Sequence, residues 1–274
     1  MFSPKFSRTQ TLIVSACSCL AVSTAIALPL SLSLFTPSAQ AKVRYNPPSN
    51  LGTPIVSTPG ATRSAGCTES VSVPICLIGL VPDLVVATAP VPLTISERPT
   101  IYFLIPKVDG NVSFTLAEED IKFAKGRKIY KTTFYLKSKA GIIAFKIPDH
   151  VQGLKLGKNY SWEFTKEFTQ EDPQTLTVIG SMRRVLPNQN LVNQLKEVSL
   201  PTDRATLFAQ EGIWYEAVQT LAEALQGNPK KAEIVSEWNE LLKSANLNKV
   251  LSHTFVKTAE TSSESISAPK KNGY

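Results

Sequence analysis

The chain has 274 residues, 43% hydrophobic and 19% charged, a globular balance that confines disorder to local stretches and allows one large or two small domains. Its 29 Lys and Arg exceed its 22 Asp and Glu, but the basic residues are interspersed, in runs no longer than pairs such as Arg183-Arg184 and Lys230-Lys231. A nucleic-acid footprint gathers basic side chains on one face, so no nucleic-acid partner is expected.

Residues 1–41 have the layout of a secretory signal: Lys5 and Arg8, an uncharged stretch from Thr11 to Phe35, then Ser38-Ala39-Gln40-Ala41 with cleavage after Ala41. The stretch is also long enough to span a bilayer, so an uncleaved leader is the one route to the membrane; Pro29, Pro37 and the A-x-A ending favour cleavage. A lipid-attachment box at Val14-Ser15-Ala16-Cys17 is a third reading, but it leaves an apolar core of five residues from Thr11 to Ser15. Removing Lys5 and Arg8 from the 29 basic side chains leaves 27 against 22 acidic ones, a net of +5. That excess suits weak, salt-sensitive contact with anionic polysaccharide or membrane surfaces. The expected location is periplasmic or extracellular.

Residues 42–75 read as a Pro/Ser-rich linker, with Pro47, Pro48, Pro54 and Pro59 breaking any periodic apolar face. The mature chain keeps Cys67 and Cys76, most simply a disulfide in an exported protein. Closing that loop of about ten residues contributes roughly 2.5 to 3 kcal/mol. A reactive thiol pair or two metal ligands are the alternatives, although CTESVSVPIC is wider than C-x-x-C and the histidines are His150 and His253.

Residues 76–186 carry a period-two pattern rich in Thr, Val, Ile, Tyr and Phe. Predicted strands are Leu93 to Ile95, Thr100 to Ile105, Asn111 to Ala117, Lys128 to Lys137, Ile142 to Ile147, Asn159 to Lys166 and Thr175 to Val185. In LKLGKNYSWEF a Leu and a turn precede Tyr160, and Tyr160, Trp162 and Phe164 then share a face. This resembles the tyrosine corner of immunoglobulin-like and fibronectin type III sandwiches, as does the proline-led strand entry at Pro99.

From residue 187 the period becomes helical, with stripes at Leu191, Leu195 and Val198; at Ala205 and Phe208; at Trp214, Ala217, Val218, Leu221, Ala224 and Leu225; and at Ile234, Trp238, Leu241, Leu242 and Ala245. Pro201-Thr202-Asp203 marks a helix start and Gly227-Asn228-Pro229 a stop. GIWYEAVQTLAEALQGNP, residues 212–229, is similar to the second half of a tetratricopeptide repeat. Gly212 permits the turn, Ala217 and Ala224 allow close helix approach, and Trp214 and Leu221 fill the space between. One repeat cannot bury its own faces, so either the rest of the chain covers it or Phe208, Trp214, Tyr215, Leu221 and Trp238 form a groove for a partner. The fold class is α+β: an antiparallel β-sandwich over 76–186, a small helical bundle with one tetratricopeptide-like pair over 187–256, and a disordered tail over 257–274.

Together, LTISERPTIYFLIP, IYKTTF, GIIAFKIP, LKLGKNYSWEF, VIGSMRRV and ATLFAQEGIWYEAVQTLAEAL resemble a family of exported cyanobacterial proteins of unknown function, over most of residues 76–245. The resemblance implies architecture and export, and no reaction, cofactor or catalytic residue. Family members tend to carry Cys and Asp-Pro where this chain reads EFTQEDP, which leaves Cys67 and Cys76 as the obvious pair.

No reaction-specific constellation stands out. G-x-S-x-G, H-E-x-x-H and a glycine-rich phosphate loop are lacking, and adjacency of Asp149 and His150 in an extended chain points the two side chains apart. Asp109, Glu118, Glu119 and Asp120 could reach a calcium ion but lack the D-x-D-x-D-G order, so a solvated loop is the reading. Glu163 and Glu167 on one strand are the candidate carboxylate pair of a glycan or peptide hydrolase, yet alternation with Trp162 and Phe164 puts Glu163 in solvent. The sequence therefore points to a non-enzymatic binding module of the cell envelope, without metal or cofactor, whose partner is an envelope or secreted protein or a polysaccharide. An envelope hydrolase is the alternative.

Overall fold

The computed structural model describes residues 42–48, 77–83, 90–120, 123–167, 175–257 and 259–260. The leader expected over residues 1–41, Cys67 and Cys76 lie outside the described residues, and so does Asp-Pro at 172–173.

The fold is mixed α/β, with two open sheets and four α-helices among the described residues. The smaller sheet joins β1 (Ile78–Gly79), β3 (Thr100–Ile105) and β6 (Gly141–Lys146) in the order β1-β3-β6. The larger runs β2-β8-β7-β4-β5-β9, from β2 (Leu93–Thr94), β8 (Leu176–Arg184), β7 (Asn159–Lys166), β4 (Val108–Asp120) and β5 (Phe123–Ser138) to β9 (Ala259–Glu260). The strict alternation of β7, buried at Tyr160, Trp162, Phe164 and Lys166, is what a strand with one covered face requires. The sheets meet through aromatic contacts. Phe103 stacks on Phe164 with centroids 4.4 Å apart and meets Trp162 edge-on at 5.3 Å, while Phe114 lies 4.2 Å from Phe145. Two facing open sheets are consistent with a sandwich.

Three features depart from expectation. The larger sheet is not wholly antiparallel, because β2 runs parallel to β8, with Arg183 N–H donating to Pro92 O and Val185 N–H to Thr94 O. β4 and β5 extend past the predicted ends: cross-strand pairing carries the ladder through the polar Glu118, Asp120 and Ser138, where alternation gives no signal. The tail begins with an edge pair, Ala259 and Glu260, opposite Lys137 and Leu136.

The predicted corner is present, as the Tyr160 hydroxyl accepts the Lys155 backbone N–H at 2.8 Å. Helix α1 (Gln189–Glu197) starts at Asn188, whose side chain accepts Leu191 N–H, and α2 (Pro201–Gln210) starts at the predicted proline. Gly212, at φ +71°, turns the chain into α3 (Trp214–Gly227), and α4 (Ala232–Ser244) leads to a one-turn helix at Asn248–Val250. Residues 39–274 form one compact unit, and a single apolar core contains Phe103 and Trp162 as well as Trp214 and Leu241.

Residues 42–48 are not a free linker. Val43 and Tyr45 are buried while Lys42, Arg44 and Asn46 are exposed, so this segment is an extended arm with one covered face. Tyr45 packs edge-on to Trp214 with centroids 5.0 Å apart.

Candidate functional site

The five residues of the candidate groove are core, covered by the rest of the chain. Phe208, Trp214, Tyr215, Leu221 and Trp238 are each no more than 5% exposed, so they present no contact surface to a partner. The physical reason is that α3 is roofed by the β layer rather than by further repeats. Trp214 donates its indole N–H to Leu80 O at 2.8 Å. The Tyr215 hydroxyl accepts the Trp162 indole N–H at 3.0 Å and donates to Ser181 O at 2.8 Å. Trp238 meets Phe255, which also packs edge-on to Tyr102.

Glu216 follows in the same first turn of α3. Its Oε1 accepts from the Thr94 hydroxyl at 2.7 Å and from the N–H groups of Ile95 and Ser96 at 3.0 Å each, while Oε2 is shut off from solvent with no hydrogen-bond partner. Burial raises the carboxyl pKa above its ordinary value, and the hydrogen bonds from Thr94 and the two amides counter this in part. Sequence reasoning passed over Glu216. Its place in the apolar stripe-bearing turn was the available signal.

A second buried carboxylate, Glu237 on α4, is 4% exposed. Its Oε2 accepts the backbone N–H groups of both Lys42 and Val43 at 2.8 Å. The arm is held further by Tyr45 N–H to Ser244 Oγ, Asn46 N–H to Ala209 O, and ion pairs from Lys42 to Asp203 (2.6 Å) and Arg44 to Glu240 (3.4 Å).

The acidic residues expected near one another are strung along β4. Glu118 pairs with Arg127 at 2.8 Å, and Asp109 is engaged by the Tyr135 hydroxyl and by Lys137 at 3.1 Å. The hydrogen bond from Tyr135, then that from Lys137, lowers the Asp109 pKa. Nine residues along a strand separate Asp109 from Glu118 by on the order of 30 Å. Glu118 and Glu119 lie in a strand, not a loop, and among the described residues no group of three or more His, Cys, Asp or Glu is placed to hold a metal. Glu163 is exposed, as alternation predicts, and Glu167 lies just past the end of β7, its N–H donating to Asn111 O. Asp149 pairs with Lys146 rather than His150, whose ring lies edge-on to Tyr130. His253 sits in an ordered turn, its N–H donating to Val250 O.

What remains open at the surface is the outer edge of β5. This strand pairs with β4 along one side, and among the described residues β9 covers the other only at Leu136 and Lys137. Arg127, Lys128, Lys131, Tyr135 and Lys137 are exposed on it, and β5 contains five basic residues and no acidic one.

Such an arrangement defines a two-sheet protein whose helices and strands share one core and are joined by Trp214, Tyr215 and Glu216. The chain belongs to the family described as Domain of Unknown Function (DUF928), whose model matches residues 58–255 and so takes in strands and helices together. A comparison with the curated proteins finds no match.

Proposed function

We propose that this DUF928 protein is a non-enzymatic interaction module of the cell envelope, exported by its leader, which receives an extended acidic segment of an envelope or secreted protein along the outer edge of β5. The exported and cyanobacterial character implied by the sequence resemblance belongs to the same reading. One observation carries it: a 16-residue edge strand with five basic residues and an outer partner over two positions among the described residues. An uncovered edge offers alternate N–H and C=O groups to an added strand, and the positive charge selects an acidic one. The same lysines oppose edge-to-edge pairing of two copies.

The test is titration of the protein with an extended Glu/Asp-rich peptide and with a neutral peptide of equal length. The acidic peptide is expected to bind saturably, more weakly as salt rises, and at least about tenfold more weakly to the Lys128→Glu, Lys131→Glu double variant, equivalent to about 1.4 kcal/mol. Absence of saturable binding, or binding indifferent to both substitutions, overturns the proposal.

A further inference from the structure

Two independent lines meet at one nitrogen atom. The sequence pattern Ser38-Ala39-Gln40-Ala41 places leader cleavage at the Ala41–Lys42 bond. The structure places the backbone nitrogen of Lys42 2.8 Å from Oε2 of Glu237, a carboxylate 4% exposed in the middle of α4. The Lys42 ammonium is engaged elsewhere, with Asp203, and among the described residues Glu237 forms no ion pair with a side-chain cation. In the uncut chain this buried carboxylate therefore receives amide N–H groups, from Lys42 and Val43, and no full positive charge at hydrogen-bond distance.

We infer that Glu237 is the binding site for a new N-terminus: the α-ammonium group of Lys42, formed when the leader is removed. Water adds across the Ala41–Lys42 peptide bond in a hydrolysis carried out by a leader-cleaving peptidase of the envelope. The C–N bond breaks, Ala41 leaves with the carboxylate, and the Lys42 nitrogen takes up protons as –NH3+. A neutral donor at 2.8 Å from Glu237 becomes a charged one, and a charge-assisted hydrogen bond is about twice as strong as a neutral one. The arm behind it is already fitted, with Val43 fully buried, Tyr45 against Trp214, and Asn46 bonded to Ala209 and Gln210 at the end of α2. Pro48 follows, so close to Gly212 that a Cβ there would stand 2.8 Å from its Cδ. Maturation thus adds a charge to the tie that holds the arm across α2, α3 and α4, and a chain that keeps its leader is held at Glu237 through neutral amides alone.

The inference rests on the export reading, and the experiment separates the two. The N-terminal sequence of the protein recovered from its native envelope is expected to begin Lys-Val-Arg-Tyr. A retained leader overturns export and this inference together, whereas an exported chain starting elsewhere overturns the inference alone. For a chain starting at Lys42, adding back one residue, Ala41, is expected to lower Tm by about 5 °C, and by less than about 1 °C in the Glu237→Gln background. An equal effect in both backgrounds overturns the assignment. Should Glu237→Gln fail to fold, acylation of the α-amine of the wild-type mature chain at neutral pH decides: it is expected to be at least about tenfold slower in the folded than in the urea-unfolded protein, and equal rates overturn the assignment.

Discussion

Glu216 shows how one side chain can be both a structural hub and a source of pH dependence. Its Oε1 gathers three donors from the last residue of β2 and the two residues after it, while Oε2 is buried without a partner. Because burial raises its pKa in the folded protein, the native state holds a proton that the unfolded chain has released. Stability from this group is therefore fully present below the ordinary glutamate value and falls as pH climbs through the raised folded value, after which it is level. Glu216→Gln keeps an acceptor for the three donors and removes the titration. The expected result is a Tm difference, variant minus wild type, that grows as pH rises above the ordinary glutamate value; thermal melts of both proteins across a pH series measure it. A constant difference would show that the carboxyl titrates alike in both states.

At the scale of elements, the first turn of α3 is the main joint between helices and sheets. Trp214, Tyr215 and Glu216 are consecutive, so they fan out around the helix start and reach three different places: Leu80, the β7–β8 pair, and the end of β2. Tyr215→Phe keeps the ring but deletes the hydroxyl that links Trp162 to Ser181, leaving the buried indole N–H without that partner. The cost is expected to be about 2 to 3 kcal/mol in urea unfolding, since an orphaned buried donor loses more than the net value of its bond. The tetratricopeptide-like spacing of 212–229 described the helix correctly and left its neighbour open. What lies over Trp214 is the bend just after β1, at Leu80, and the arm carrying Tyr45.

For the whole molecule, the shared core makes separate folding of the two halves unfavourable. Phe103, Trp162 and Val178 belong to the same apolar cluster as Phe208, Trp214 and Leu241. A fragment of residues 76–186 is expected to show no cooperative thermal transition and to bind an apolar dye, whereas the full chain unfolds in one step; calorimetry with dye fluorescence tests this. The strands Thr100–Ile105 and Asn159–Lys166 and the helix start at Pro201 were legible because each is a local signal, an alternation or a fixed-φ residue. The parallel pairing of β2, the full length of β4 and β5, and the burial of Val43 and Tyr45 were not, because each depends on residues distant in the chain. Of the candidate site, the exposure of Glu163 was legible from strand alternation. The anchoring roles of Glu216 and Glu237 were not, since a carboxylate on an amphipathic helix reads as solvated until its donors are known. The sequence alone determined periodicity, turns and helix caps, since these follow from backbone sterics and the spacing of apolar side chains over a few residues. Only the tertiary structure decided that the candidate groove is interior and that, among the described residues, the outer edge of β5 is paired only at Leu136 and Lys137, because burial belongs to pairs of surfaces brought together by the fold.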